Sequence, residues 1–310
     1  MLSYIFLKNR RIIKTRKKYC IFGLKSNIMV IANPIYDVVF KRMMENDKVA
    51  KFFIGTLLEQ TIETVEVKPQ EFTYTDELAG LAVFRLDFIA TIKTETGELK
   101  KILIEIQKAK NLIDVMRFRN YLAKQYGKED EVDGRKVILP ITTIYILGFK
   151  LPEITTACLK VERNYKDLVH NINIKPKSDF IEKLTHDSYI VQVERITDKY
   201  QTKLDKLLSL FEQKHFVDDR KIVKEFTHKI DNEDIKLTTD ILHFSGTNTE
   251  ERKKLETEQE AWRTVDAMTG DLRIKLENQL KINQEKDSEL EEMKVKMAEL
   301  IKQLDSKNNT

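Results

Sequence analysis

Cysteine is nearly absent from this chain. The two present, Cys20 and Cys158, lie far apart in a sequence of 310 residues. That excludes a disulfide framework and a CxxC zinc site. Two free thiols in a reducing, cytoplasmic compartment is the expectation that follows. The five histidines, His170, His186, His215, His228 and His243, show neither HxxxH nor HExxH spacing, which argues against zinc hydrolase chemistry. No apolar run reaches 18 residues, so no helical membrane span and no membrane partner are expected. From Leu276 onward there is neither glycine nor proline, so nothing interrupts a helix there.

Charge is plentiful. Charged residues make up 34% of the chain against 41% hydrophobic ones, so a long solvated element must sit beside the core. The net charge of +4 suggests a nucleic-acid binder. Its distribution weakens that reading. Residues 1–28 hold eight basic side chains (Lys8, Arg10, Arg11, Lys14, Arg16, Lys17, Lys18, Lys25) and no acidic one, which leaves −4 for the rest of the chain. The apolar stretch Tyr19 to Leu24 is too short for a secretory signal, and no small-residue cleavage site follows it. Two readings of the leader stand: a basic arm, or an upstream extension with Met29 as the working start.

Hydrophobic periodicity divides the remainder. Asn33-Pro34 reads as a helix entry, followed by one or two helices over 34–63. Val65 to Val67 reads as a short strand ended by Pro69. Residues 82–92 and 100–108 read as the arms of a hairpin around Glu95-Thr96-Gly97-Glu98. Asn111 to Tyr126 is expected to be a helix stopped by Gly127. Residues 136–148 form a buried strand in which Pro140 implies a bulge or a late start. Further strands are expected over 157–163 and 188–196, and an amphipathic helix over 202–214. Thr247 to Glu250 fits a capping box opening a long polar helix. Within it a heptad track runs Leu276, Leu280, Asn283, Asp287, Leu290, Lys294, Met297, Ile301, Leu304. A short coiled coil with self-association and a solitary charged helix are both compatible with that track. Ser306 to Thr310 reads as a disordered tail.

The expected layout is a leader at 1–28, an α/β core at 29–215, a connecting region at 216–250 and a charged helical tail at 251–310.

The hairpin carries the chemistry. Alternation puts Val83, Arg85, Asp87 and Ile89 on one face of the first arm, and Leu103, Glu105 and Gln107 on one face of the second. With Glu95-Thr96-Gly97 as a three-residue loop, Asp87 stands opposite Glu105. A two-residue loop would put the two carboxylates on opposite faces. Opposed carboxylates repel and are costly to bury, and a divalent cation is their natural remedy. Hard oxygen ligands suit Mg²⁺, with Mn²⁺ an acceptable substitute. Gln107, on the same face, would orient a water or hold a phosphate oxygen. Solvated positions for Asp87 and Glu105 explain the same spacing.

Three stretches, Pro34-Ile35-Tyr36-Asp37-Val38-Val39-Phe40-Lys41, Arg85-Leu86-Asp87-Phe88 and Ile104-Glu105-Ile106-Gln107, resemble the PD-(D/E)XK nuclease superfamily in order and spacing. Within it they resemble the recombination-promoting nuclease and transposase family. The helix segment Met116-Arg117-Phe118-Arg119-Asn120-Tyr121 is also similar. The resemblance covers about residues 30–200. It implies a restriction-endonuclease-like fold, a mixed central sheet flanked by helices with a C-terminal helical extension. It also implies Mg²⁺-dependent hydrolysis of DNA. Asp87 and Glu105 would be metal ligands, and Gln107 stands where the superfamily usually has lysine. Asp37 ranks ahead of Glu59 and Glu63 as the helix acid near the site. The helix after the hairpin carries Lys108, Lys110, Arg117, Arg119, Lys124 and Lys128 against Asp114. Arg117, Arg119, Tyr121 and Lys124 are the expected nucleic-acid contacts, through phosphates and sugar.

Overall fold

The computed structural model describes residues 29–76, 81–108 and 112–308. The leader 1–28 lies outside the described residues. The chain opens with β1 (Met29–Ala32), α1 (Asp37–Met44) and α2 (Asp47–Leu58), then β2 (Ile62–Asp76), β3 (Leu81–Thr94) and β4 (Leu99–Gln107). After them come α3 (Leu112–Tyr126), the small hairpin β5 (Asp130–Val132) and β6 (Arg135–Val137), and β7 (Ile141–Leu147). An excursion follows through β8 (Cys158–Val161), β9 (Tyr165–Asp167), β10 (Ile172–Ile174) and α4 (Asp179–Leu184). The chain closes with β11 (Asp187–Gln192), α5 (Lys203–Phe211), β12 (Val223–Phe226), α6 (Glu233–Thr247) and α7 (Thr249–Asn308).

The central sheet has six strands in the order β2-β3-β4-β7-β11-β8. The β2–β3, β3–β4 and β11–β8 pairs are antiparallel, and β4–β7 and β7–β11 are parallel. It is a mixed sheet in an α/β architecture. Its central strands are buried on both faces, which explains near-continuous apolar runs such as Ile102 to Ile104. On one face Phe88, Ala90, Ile92, Ile102, Ile104 and Ile106 meet α1, α2 and α5. Phe40 lies edge-on to Phe53 and Phe88, at centroid distances of 5.3 and 4.9 Å. On the other face Ile89, Leu103 and Ile141 pack against Phe118 and Tyr121 of α3.

Several expectations change. The strand expected to end at Pro69 runs on to Asp76, with Pro69 paired to Phe88. β2 is the sheet's edge strand, and a proline there costs no ladder bond on its open side. Pro140 marks a late start, since β7 begins at Ile141, although Lys101 still donates its N–H to the Pro140 carbonyl at 2.9 Å. The strands expected over 157–163 and 188–196 are shorter, and Val193–Arg195 turns into a single 3₁₀ turn. Asn33-Pro34 is a turn before α1 and not its entry, because the helix begins at Asp37. The cap of α7 is Asn248, whose Oδ1 accepts from Glu250 and Glu251 N–H. Thr247 closes α6 instead, bonding the His243 carbonyl. The helix continues to Asn308, into the stretch expected to be disordered.

The segment 216–250 does more than connect. β12 pairs with β1 (Met29 opposite Phe226), and α6 covers that pair. Ile222, Val223, Ile235 and Leu242 are fully buried, as is Leu255 of α7, and Trp262 further along α7 is largely buried. The core therefore extends into the tail helix.

The β8–α4 excursion is tied down by charge. Arg163 binds Asp187 at 2.8 Å, Glu182 at 2.6 Å and the Thr185 carbonyl at 2.9 Å. Beside it, the Tyr126 hydroxyl and His186 Nδ1 lie 2.7 Å apart. Burial, and then the Arg163 charge, hold the His186 imidazole below its ordinary pKa. An unfolded histidine protonates near 6.5, the folded one only at lower pH, so stability is lost as pH falls through that interval. His186→Gln is expected to flatten the decline of melting temperature between about pH 7 and pH 5. A decline as steep as the wild type's would show that His186 does not contribute to it.

Candidate functional site

β4 runs through the middle of the sheet, and its alternation sorts the chemistry. Ile102, Ile104 and Ile106 enter the α1–α2 core, while Lys101, Leu103, Glu105 and Gln107 lie on the α3 face. Charge is buried on that face. Glu105 is 1% exposed, and Lys101 is equally enclosed and answered by Asp130 at 2.6 Å.

The register follows from the hairpin loop. Thr94 N–H donates to the Glu98 carbonyl and Gly97 N–H to the Thr94 carbonyl, both at 2.9 Å. Gly97 sits at φ +85°, a conformation that side chains with a Cβ rarely adopt. Glu95, Thr96 and Gly97 therefore form a three-residue loop, and every β3–β4 pair from Lys93–Leu99 to Phe88–Ile104 keeps one register. The β3–β4 pairing ends there, and the same register carried one step further would bring Asp87 opposite Glu105. Asp87 also pairs with Gln70 of β2. The side chains of Asp87 and Arg117 lie outside the described residues.

On the other side of β4, Glu105 pairs with Tyr145 of β7. Burial pushes the Tyr145 phenol up to about 12, and the Glu105 charge adds to it. Tyr145 thus keeps its proton beside the carboxylate at neutral pH. In the sequence it is hidden, because β7 reads as a buried, largely apolar strand.

Gln107 ends β4. It is 7% exposed, and its carbonyl accepts the Gly148 N–H at 2.8 Å. Gly148 has a steric reason: a Cβ there would come within 2.9 Å of the Lys108 carbonyl oxygen and 3.0 Å of Ile35 Cδ1. Lys108, the next residue, turns to the other side. It forms an ion pair with Glu258 of α7, and its ammonium lies 4.5 and 4.6 Å from the ring centroids of Tyr36 and Trp262. Glu258 also accepts the N–H groups of Asp37 and Val38 at 2.9 and 3.0 Å. Tyr36, the N-cap of α1, makes no side-chain capping bond, so a glutamate from the tail caps this helix.

Asp37 is therefore the first residue of α1, a helix packed on the sheet face opposite Glu105. Glu63 is placed elsewhere: it pairs with Lys93 at 2.8 Å near the hairpin loop. Six residues of strand separate Lys93 from Asp87, about 20 Å.

The helix α3 corrects the expected DNA contacts. Tyr121 is 4% exposed and packs on Leu103, so its ring belongs to the floor of the site rather than to the surface. Arg119 and Lys124 are exposed. The Tyr126–His186 contact puts the end of α3 at the amino ends of β7 and β11. Glu105 and Gln107 lie toward the carboxyl end of β4, which runs parallel to β7. Lys124 and Lys128 therefore sit toward the opposite edge of the sheet from the acidic pair.

The donors here are oxygen atoms, the chemistry a hard cation such as Mg²⁺ requires. Among the described residues no three His, Cys, Asp or Glu side chains cluster as a metal site. No described helix is long and apolar enough to cross a membrane. The Cys158 thiol is free, and burial pushes it up to about 11, so it is not a ready nucleophile. Cys20 lies outside the described residues.

Compared with protein-family models, curated proteins and solved structures, the chain gives no match. The class its own fold defines is an α/β protein with a mixed six-stranded sheet flanked by helices.

Proposed function

We propose that the chain is a metal-dependent endonuclease of the PD-(D/E)XK kind that hydrolyses DNA phosphodiester bonds, in recombination or transposition. The observation that supports this is a Glu105 buried in the middle of the sheet, one residue past the last β3–β4 pair, Phe88–Ile104, on the side where β3 carries Asp87. Two carboxylates brought together there would supply the hard oxygen ligands that a divalent cation takes. In this reading Asp87 and Glu105 hold Mg²⁺ or Mn²⁺, which supplies polarisation of a phosphate oxygen and a more acidic bound water. Gln107 orients the water, and the neutral Tyr145 phenol is a donor beside Glu105. Asp37, although its helix packs on the other face of the sheet, is the helix acid in this reading, because Glu258 joins its N–H to Lys108, the residue after Gln107. Arg117 and Arg119 neutralise phosphates along α3, while Lys124 lies toward the far edge of the sheet.

A second reading is favoured by one residue. Gln107 stands where the superfamily usually has lysine, and an amide supplies no positive charge to the developing phosphorane. The chain would then be a DNA-binding or assembly protein that kept the fold, with α7 making contacts or self-associating. Plasmid nicking with and without Mg²⁺, alongside Mn²⁺ calorimetry, separates the two. The nuclease reading expects metal-dependent nicking and metal binding, both lost in Asp87→Asn. Undiminished nicking by that variant would remove the site, and DNA binding with no metal uptake would favour the second reading.

A further inference from the structure

The carboxyl ends of β4, β7 and β11 form one edge of the sheet. Gln107 pairs with Leu147, and Leu147 with Gln192. At about 4.8 Å per strand, Gln192 lies about 10 Å along that edge from Gln107. Just beyond it opens a cleft of about 230 Å³, lined by Lys150, Val193, Glu194, Ile196, Glu212, Gln213, Lys214 and Lys221. The carboxyl edge of parallel strands is where open α/β sheets bind ligands.

The charges of this cleft do not cancel. Lys214 and Lys221 are exposed and form no ion pair among the described residues, and Lys150 has only a long one, 3.9 Å from Glu194. Glu212 is buried and faces the ammonium of Lys224 at 3.8 Å, so its charge is already answered. Three lysine cations thus surround the cleft, opposed by the single exposed carboxylate of Glu194.

The loop that carries two of them is held in shape. Asn33 is buried, and its amide nitrogen donates to the Lys221 carbonyl at 3.0 Å and to Gln213 Oε1 at 3.1 Å. Gln213 Nε2 donates back to Asn33 Oδ1 at 3.1 Å. The Tyr36 hydroxyl donates to the Arg220 carbonyl at 3.2 Å. His215 and Lys221 are fixed at φ 59° and 56°, conformations that cost energy in a residue with a Cβ. A strained loop tied at both ends to one buried asparagine is a preorganised scaffold for its lysines.

We infer that this cleft is a phosphodiester-binding subsite, in which Lys150, Lys214 and Lys221 grip the backbone of the same DNA that Glu105 and Asp87 engage. The inference rests on the nuclease reading for its ligand and moves the backbone grip from the far end of α3 to the edge on which the acidic pair lies. The three lysines are exposed, so neutralising them leaves the fold intact.

The test is fluorescence anisotropy of a labelled DNA duplex in Ca²⁺ or EDTA, which reads binding without cleavage. The combined variant Lys150→Gln, Lys214→Gln, Lys221→Gln is expected to bind about a hundredfold more weakly at about 0.1 M salt, with a salt slope shallower by about 2 to 3. Wild-type affinity in that variant, with wild-type nicking, overturns the subsite and leaves the nuclease reading standing. No duplex binding by the wild type overturns both. A second arm titrates the wild type with inorganic phosphate. Lysine-dependent phosphate binding without any change in duplex affinity would make the cleft a small-anion pocket and overturn its assignment to DNA.

Discussion

Glu105→Gln is expected to lower metal-dependent plasmid cleavage by about 10³-fold or more, the scale of losing one charged group that acts directly on the transition state. Glu105 lies on a central strand between β3 and β7, on the face covered by α3, where water does not replace a missing ligand. Glutamine keeps the volume and the shape, so packing against Leu103 and Tyr145 changes little. It removes the negative charge, and a hard divalent cation loses most of its reason to stay. The checks are initial nicking rates over a range of Mg²⁺ concentrations, with circular dichroism to verify the fold. A folded variant that still cuts within tenfold of the wild type would sink the role assigned to Glu105. Recovery of cutting at high Mg²⁺ would instead show that the carboxylate acts mainly through metal affinity.

Glu258→Ala is expected to destabilise the protein by about 3 kcal/mol, the largest single loss foreseen outside the hydrophobic core. Two causes act together. The carboxylate is the cap of α1, receiving the Asp37 and Val38 N–H groups, and loss of a cap costs about 1 kcal/mol. It is also the counter-charge of Lys108, with both side chains largely enclosed at 14% and 11% exposure. Removing one partner leaves a cation between the Tyr36 and Trp262 rings with only their faces to answer it. Glu258→Gln keeps an acceptor for the helix and should cost less. Urea unfolding measures both variants. A loss below about 1 kcal/mol in the alanine variant would mean that the pair and the cap are marginal.

How much of this was legible in the sequence varies by element, for physical reasons. The hairpin was legible because its information is local: Gly97 permits the positive φ of a three-residue loop, and the loop length alone fixes which residues face each other. The edge strand β2 was not, because Pro69 reads as a stop unless the strand's open side is known. Tyr121 was placed on the wrong side of α3. Arg117, Tyr121, Lys124 and Lys128 at helical spacing suggest a surface, but the buried set is Phe118, Tyr121 and Gln125, and hydrophobic phase decides which side meets the sheet. Tyr145 and Glu258 escaped notice because each acquires its role from a partner distant in sequence. The helix α6 was missed because its apolar positions are sparse: Ile235 and Leu242 are buried beside Thr238 and Thr239, whose hydroxyls bond back into their own helix.

The capping of α1 by Glu258 has a consequence for timing. Asp37 and Glu258 are separated by 221 residues, and β1 finds its partner only when β12 has been made. Such contacts close very long loops, and loops of that length make folding slow and late. During synthesis the sheet that bears Glu105 emerges first, but the first helix stays uncapped and Lys108 lacks its glutamate until α7 leaves the ribosome. An element made late thus completes one made early.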